Sequence, residues 1–480
     1  MALQTPRRRA WFAVAMVVAL AALVTGAWAL REWQPFADDA AEVTWPANIE
    51  PLASFVEHET GLAFLEPVDI VFLDRDEFDD RLAENVEAPS DEALATALDD
   101  EALGRALGYW NGEPELARRS AQLRDASNAD VEWTDEDEVL VQAEGPDTDL
   151  QLDAQADLVL TLTEIVDQQH FQLGERIAVA PTAQDFQVLV GLDFGQALWV
   201  RDRWIDQLEP DDRQVYDELL DRRNANFADA TSEVDPVFRS LRIVGQAVGP
   251  AFVLALHESG RRDAFELAVR DDMPAAVDQL MLPTGKYERR DELEPVAAPP
   301  VPTDAELVYT RQLGPYGLYL LMAGGLPPTE ALQAADGWGN DSFVAYTLDD
   351  RLCVDARIVA DSRTDADRIE RGLDAWGHAR PEDSSALVGR DGDTLLLSVC
   401  DPGADADQRT PDDDAIQQFF GRSDLLQSRI EVTGLPALSE CVTVRWFETH
   451  VAADDLGDVM SEFDPFGLLD DLTAECRDSV

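Results

Sequence analysis

The sequence predicts an α+β fold that is mainly helical and that contains a small β-β-α-β-β module near its C-terminal end. The chain has 480 residues, of which 45% are hydrophobic, and this is enough apolar material for a sizeable core. Apolar residues recur at helical spacing through most of the chain before Trp338. After Trp338 the pattern changes to short alternating segments, which are typical of strands.

The elements of the first part of the chain follow from this periodicity. Residues 46–66 place Ile49, Leu52, Phe55 and Val56 at helical spacing, and VDIVFLD (68–74) predicts a short strand. Next come two acidic amphipathic helices in DEFDDRLAE and DEALATALDDEALGRALGYW, a hairpin over NADVEWTDEDEVLVQ, a core helix from Ala154 to Leu173, helices at about 183–207 and 210–223, and a helical stretch around 235–270.

The second part begins with the proline-rich segment EPVAAPPVPTDAE, which predicts an extended linker or a strap over the surface. In order, we then predict helical units in GPYGLYLLMAGG and PTEALQAADGW, strands in SFVAYTL and CVDARIVAD, a helix in DADRIERGLDAW, a hairpin from ALVGR to TLLLSVC, a strand in VTVRWFE and an acidic helical end. These elements suggest that the chain divides into three parts, residues 1–33, 34–335 and 336–480.

The N-terminus predicts a membrane segment. Three arginines (7–9) precede an uncharged apolar run over 11–30, which is just long enough to cross a hydrocarbon core of about 30 Å. Basic residues on this side would hold the N-terminus in the cytoplasm and the rest of the chain outside. The alternative is a signal peptide that is cleaved at Ala27-Trp28-Ala29, which would release a secreted protein. We favour the uncleaved single-pass anchor in the cell membrane.

The charge of the chain limits its partners. Asp and Glu number 97 against 37 Lys and Arg, which gives a net charge of −60 and excludes nucleic-acid binding through a basic face. Such acidity with an ordinary hydrophobic share resembles a halophilic-type surface, which stays soluble when salt screens its charges.

Four cysteines, Cys353, Cys400, Cys441 and Cys476, lie in the C-terminal third, and no two form a C-x-x-C pair. An even number outside the cytoplasm indicates disulfides. Four cysteines allow three pairings, of which we expect the nearest-neighbour one, Cys353 with Cys400 and Cys441 with Cys476. Buried free thiols are the alternative.

The core helix ends in Asp167-Gln168-Gln169-His170-Phe171, and this segment is the centre of a wider resemblance. The chain resembles a family of secreted or membrane-anchored neutral zinc metallopeptidases of bacteria, common in actinobacteria, whose helix reads H-E-L-x-H-A-L-x-D-Q-H-F. The stretches that resemble the family's motifs are LGYWNGEPEL, NADVEWTDEDEVLVQ, GPAFVLALHESG, MPAAVDQLMLPTGKY and AADGWGNDSFVAYTL, and the resemblance covers roughly residues 46–400. It implies a zincin-like metallopeptidase fold.

The resemblance also implies a zinc site, but the positions of that site are occupied by other residues. Such a helix needs two imidazoles four residues apart and a Glu beside the first as general base. Leu160 and Glu164 stand at the two ligand positions and Thr161 at the base position. The family's third ligand, a Glu, aligns with Phe194, or with Gly191 in a shifted alignment. We therefore expect a degenerate site that binds no zinc and no other cofactor.

The family's later His before Pro is also replaced, by Leu282. The motifs of other catalytic classes that we looked for do not occur. No two of the five histidines are spaced as a helical ligand pair, and neither a G-x-S-x-G elbow nor a phosphate-binding G-x-x-x-x-G-K-[ST] loop occurs. The acidic loop at 405–414 lacks the spacing of an EF-hand and predicts a solvated loop.

These observations predict a membrane-tethered, extracytoplasmic pseudo-metallopeptidase that binds a peptide or envelope protein without catalysis. The surface of the former cleft would include Glu164, Asp167, Gln168 and His170. Two alternatives stay open: an active hydrolase or peptidase with a relocated site, and a purely structural envelope protein.

Overall fold

A computed structural model describes residues 44–84, 90–126, 130–134, 138–261, 263–449 and 468–477. The predicted membrane anchor or signal peptide lies outside the described residues. The helices are α1 (Glu50–Thr60), α2 (Arg75–Glu84), α3 (Asp91–Leu107), α4 (Leu116–Asp125), α5 (Leu152–Phe171), α6 (Leu173–Ala178), α7 (Ala183–Ile205), α8 (Pro210–Ala230), α9 (Pro236–Glu258), α10 (Ala264–Arg270), α11 (Val277–Met281), α12 (Gly314–Ala323), α13 (Pro328–Ala335), α14 (Arg363–His378), α15 (Asp413–Thr433), α16 (Pro436–Thr449) and α17 (Leu468–Arg477).

The strands are β1 (Asp69–Leu73), β2 (Val131–Trp133), β3 (Glu138–Gln142), β4 (Glu306–Arg311), β5 (Trp338–Leu348), β6 (Arg351–Ala360), β7 (Leu387–Asp391) and β8 (Thr394–Cys400). They form a three-stranded sheet of order β1-β3-β2 and a five-stranded sheet of order β4-β5-β6-β8-β7. The predicted α+β class is confirmed. Helices predominate, as the periodicity predicted.

The smaller sheet lies against α1 and α5. In it β1 runs parallel to β3, with Val71 opposite Leu140, and β2 runs antiparallel to β3 as the predicted hairpin. Val139 and Val141 pack with Leu158 and Leu162 of α5 in one buried cluster. This packing holds one face of α5 against the sheet and turns the rest of the helix toward α7.

The five-stranded sheet is antiparallel throughout and contains the predicted β-β-α-β-β module, formed by β5, β6, α14, β7 and β8. The strand β4 precedes the predicted boundary at 335/336 and pairs with β5 across it. That boundary stays a prediction. The proline-rich segment crosses the sheet as a strap, since Asn340 and Arg357 donate hydrogen bonds to the carbonyl groups of Glu294 and Ala297.

Helices α7 and α9 approach each other closely at their glycines. A Cβ atom added at Gly249 would lie 2.0 Å from the carbonyl oxygen of Gly191, and one added at Gly195 would lie 2.9 Å from that of Gly249. Side chains at these positions would force the helices apart. Among the described helices, α9 is long and apolar enough to span a membrane, yet more than half of its most apolar 18-residue stretch is buried inside the protein. It packs here as a core helix between α7 and α15.

The segment VTVRWFE, predicted as a strand, is part of helix α16, so this prediction was wrong. Alternating β-branched residues suggested a strand, but Leu438, Val442 and Trp446 are buried at helical spacing against the main core. Pro436 stands at the start of the helix, where a proline is tolerated. Tertiary packing thus overrode local β-propensity.

Both expected disulfides are confirmed by the cysteine pairs. Cys353 and Cys400 stand directly opposite each other on β6 and β8, with Cα atoms 3.9 Å apart. Cys441 on α16 pairs with Cys476 on α17, with Cα atoms 5.9 Å apart. The second bond attaches the short helix α17 to α16.

Candidate functional site

The positions that the predicted resemblance aligns with zinc ligands lie in the middle of α5. Leu160 and Glu164 stand one turn apart on the same side of the helix, and both are half-buried. Thr161 is buried. The helix therefore presents the predicted geometry, but a leucine side chain has no atom that binds a metal ion, and a threonine hydroxyl is no base near neutral pH.

Helix α7 brings a different residue to this place from the one predicted. Phe194 is half-buried and supplies no oxygen, and Gly191 packs against Gly249 of α9. The neighbouring Asp193 lies close enough to α5 for its charge to raise the pKa values of both Glu164 and Asp167. Sequence reasoning missed Asp193. The only signal was a single carboxylate in the otherwise uncharged stretch VLVGLDFGQALWV.

Four acidic residues from three elements form what we call the carboxylate cluster: Glu132 of β2, Glu164 and Asp167 of α5, and Asp193 of α7. Burial, together with the charges of Asp193 and Glu132, raises the pKa of Glu164 well above its ordinary value. Burial, Asp193 and Glu164 do the same for the pKa of Asp167. Burial raises the pKa of Asp193 to about 7. At neutral pH the cluster therefore holds protons that isolated carboxyl groups would have released.

Asp167 is the most deeply buried member of the cluster. Its side chain is 0% exposed, and neither carboxyl oxygen has a hydrogen-bond partner. One buried oxygen of Asp193, Oδ1, is also without a partner. Buried polar atoms are nearly always hydrogen-bonded, so these oxygens indicate a place where the fold has kept polar groups at the expense of stability.

The other two residues of the predicted cleft have structural contacts instead. Gln168 accepts a hydrogen bond from the backbone N–H of Gly174 at 2.7 Å. Nε2 of His170 lies 2.8 Å from the carbonyl oxygen of Ala63. The first contact fixes the C-terminal end of α5 to helix α6, and the second fixes it to the segment that follows α1. The predicted set is therefore divided, with Glu164 and Asp167 in the carboxylate cluster and Gln168 and His170 in contacts that hold the end of α5.

The described histidines lie on separate helices. His257 of α9 stacks on Trp199 at 3.6 Å between ring centroids and shares a 2.8 Å hydrogen bond with Gln196. Burial and the nearby Arg203 lower its pKa to about 4, so it is neutral at physiological pH. His378 contacts the carbonyl oxygen of Asp374 within α14. In the part of the chain that the structure describes, no three His, Cys, Asp or Glu side chains are arranged to hold a metal ion.

The residues at the positions that the predicted resemblance aligns with zinc ligands therefore do not fit a zinc ion. Leu282, at the position of the family's later histidine, is buried and apolar. The acidic loop at 405–414 has a structural contact of its own, since Asp412 accepts a hydrogen bond from the backbone N–H of Ala415 and caps α15. What distinguishes the site chemically is a set of carboxyl groups whose pKa values are raised.

Comparisons of the chain with protein-family models, with curated proteins and with solved structures found no match.

Proposed function

We propose that this protein is a membrane-tethered, extracytoplasmic pseudo-metallopeptidase that binds a peptide or an envelope protein without cleaving it. The proposal includes a zincin-like ancestry of the α5–α7 region. The observation that carries it is the composition of α5 at the former zinc positions, where Leu160 and Glu164 are one turn apart and Thr161 is buried beside them.

This composition supports binding rather than hydrolysis for a chemical reason. A zinc peptidase holds its ion with imidazole and carboxylate ligands and uses a carboxylate base to activate the bound water. Here the first ligand and the base are absent. Glu164, the one polar residue left at the ligand positions of α5, favours its protonated form because its pKa is raised. A protonated carboxyl group is a poor metal ligand and a poor general base.

The proposed location rests on two further observations. The arginines at 7–9 and the apolar run at 11–30 have the form of a single-pass anchor with the C-terminal part outside. Two disulfides are typical of proteins that fold in oxidising compartments. A partner outside the membrane, such as an envelope protein or a peptide, follows from this location.

The test uses the full chain, purified in detergent without chelator, and combines elemental analysis with a peptidase assay. We expect no stoichiometric zinc and no cleavage of casein or of a mixed peptide library, with or without chelator. Stoichiometric zinc with chelator-sensitive cleavage would contradict the proposal. Cleavage that resists the chelator would also contradict it and would favour a hydrolase with a relocated site.

A further inference from the structure

Strand β1 forms one edge of the three-stranded sheet. The order of that sheet is β1-β3-β2, so among the described residues β1 pairs on one side only, with β3. The pairing runs without a bulge from Asp69, opposite Glu138, to Leu73, opposite Gln142. The other side of β1 is therefore a regular edge, and such an edge can pair with a further strand.

Two residues of β1 direct their backbone groups to this open edge. The carbonyl oxygen of Leu73 accepts a hydrogen bond from the N–H of Ala143, which directly follows β3. Because backbone groups alternate between the two sides of a strand, those of Val71 also point toward β3, whereas those of Ile70 and Phe72 point to the open edge. Two N–H and two C=O groups are thus available to an extended peptide.

The side chains of β1 divide between the two faces of the sheet. Ile70 and Phe72 pack against the buried cluster that contains Leu158 of α5. Val71 and Leu73 lie on the other face, which we call the outer face, and are half-buried. None of the five residues of β1 is a lysine or a proline, the residues that commonly protect an edge from pairing. The edge is apolar and unprotected.

A surface cavity of about 370 Å³, which we call the edge cavity, lies beside β1 on the outer face. This volume falls within the range of roughly 300–1,000 Å³ that is common for ligand pockets. The wall opposite β1 is helix α2, which contacts both β1 and β3. The lining combines apolar and charged side chains: Val71, Leu73, Glu77, Asp80, Arg81 and Glu138.

The charges of the edge cavity favour a basic occupant. Arg81 forms an ion pair with Glu138, with an N–O distance of 2.7 Å. Glu77 and Asp80 are exposed carboxylates, so the lining holds three negative groups against one guanidinium group. The two apolar side chains of the cavity offer contact to the aliphatic stem of a lysine, while its ammonium group reaches the carboxylates.

The charge of the whole chain acts in the same direction. A net charge of −60 attracts a basic partner and opposes the pairing of β1 with a second copy of the chain. Charge complementarity therefore distinguishes between the two occupants that an open edge could accept.

We propose that a basic segment of a protein or peptide partner adds to β1 as a further strand and places a lysine side chain in the edge cavity. Main-chain hydrogen bonds to Ile70 and Phe72 hold the segment, and the cavity selects the lysine. Strand β1 lies at the opposite edge of the sheet from β2, so this site is separate from the carboxylate cluster. The inference rests on the proposed function, since it names where and in which form a peptide binds.

The first test measures binding of the peptide Ac-Ser-Val-Thr-Lys-Thr-Val-Ser-NH2 to the full chain in detergent by isothermal titration. In an extended conformation its lysine and both valines share one face. An analogue with norleucine in place of lysine keeps an aliphatic stem and lacks the charge. We expect the analogue to bind about three- to tenfold more weakly. No binding of the lysine peptide, or equal binding of both peptides, would overturn the proposal.

Backbone methylation tests the addition of a strand. One analogue carries methyl groups on the backbone nitrogens of both threonines, and the other carries them on those of both valines. Only alternate N–H groups of an added strand face its neighbour, so one analogue should bind at least about tenfold more weakly and the other should bind like the unmodified peptide. Equal affinities of the two analogues would contradict pairing with β1.

Variants locate the binding. E77Q/D80N removes two charges of the edge cavity, and we expect about three- to tenfold weaker binding of the lysine peptide. D76N/D79N removes two charges of the same helix outside the cavity and is the matched control, which should bind like the wild type. All four side chains are exposed, so both variants should fold. Equal affinities of the two variants would overturn the assignment to the cavity.

Sedimentation of the full chain in detergent tests the other occupant, a second copy. We expect the wild type and V71K, which adds a positive charge to the edge cavity, to sediment alike in the absence of peptide. A dimer that V71K dissociates would overturn the proposal, because β1 would then pair between two copies.

The two proposals fail in different ways. Mass spectrometry of the peptides after incubation reports cleavage, which would contradict the proposed function even if the lysine peptide binds at β1. Binding without cleavage that ignores both backbone methylation and E77Q/D80N would contradict only the site on β1.

Discussion

The Nζ atom of Lys286 lies 2.6 Å from Oδ2 of Asp278 and 2.7 Å from Oδ2 of Asp361, so the single lysine of the chain is a buried ion-pair partner. A third bond, at 3.1 Å, reaches the carbonyl oxygen of Trp338 at the start of β5. Burial acts to lower the pKa of Lys286, but the charges of Asp278 and Asp361 outweigh it and raise the pKa above its ordinary value. The ammonium group thus joins the α11 region to β5 and to the end of β6.

Replacement of this lysine tests that junction. We expect K286M to lower the free energy of unfolding by about 3–5 kcal/mol, because Asp278 is left buried with an uncompensated charge. Chemical denaturation of the full chain measures the loss. K286R keeps the charge and should lose less. A loss below about 1 kcal/mol in K286M would contradict a structural role for the ion pairs.

The pKa of Asp193 predicts how stability changes with pH. Its ordinary value of 3.8 rises to about 7 in the fold, so between these pH values the native state holds a proton that the unfolded state has released. The contribution of this group to stability is therefore present below about pH 4 and is lost as the pH rises to about 7. We expect D193N to melt at least about 2 °C higher than the wild type at about pH 8, and to lose this advantage at about pH 4.

The control for this prediction is D157N, which removes the partner of Arg223 and should melt lower than the wild type at the higher pH. An equal difference between D193N and the wild type at both pH values would contradict the assigned protonation of Asp193.

The position of Asp193 determines which substitutions would create a metal site on α5. If Phe194 occupied the position of the third zinc ligand, two histidines introduced at Leu160 and Glu164 would lack a third ligand. Because the charge of Asp193 acts on the carboxyl group of Glu164, we expect L160H/E164H to bind zinc through both histidines and Asp193. Isothermal titration should show at least about tenfold weaker zinc binding when D193N is added. Equal zinc affinity with and without D193N would show that Asp193 does not reach this position.

The close crossing of α7 and α9 can be tested at one glycine. A Cβ atom at Gly249 would lie 2.0 Å from the carbonyl oxygen of Gly191, so G249A should destabilise the fold by about 3 kcal/mol through overpacking. Gly377 in α14 is the matched control, since its added Cβ would meet Val388 at an ordinary 3.5 Å. We expect G377A to be neutral or stabilising by up to about 1 kcal/mol. Similar stability of both variants in chemical denaturation would contradict the tight crossing.

Much of the fold could be predicted from local patterns. Helix α5 was predicted within two residues at each end because its apolar residues keep one period over five turns. The β-β-α-β-β module was predicted because Asp391-Gly392 marks the turn between two alternating segments. Helix α16 was mistaken for a strand, since its β-branched residues satisfy both periods over a short window and only the core decides which is used.

The sequence alone determined which chemical groups stand at 160, 161 and 164, because residue types are read directly and helical spacing places Leu160 and Glu164 on one side of a helix. Tertiary structure alone decided which group stands opposite them. Asp193 reaches α5 through the packing of α7 between α5 and α9, which depends on glycines far apart in the chain. The pKa values of the cluster were likewise beyond sequence reasoning, because burial and the proximity of charges from three elements arise only when those elements pack together.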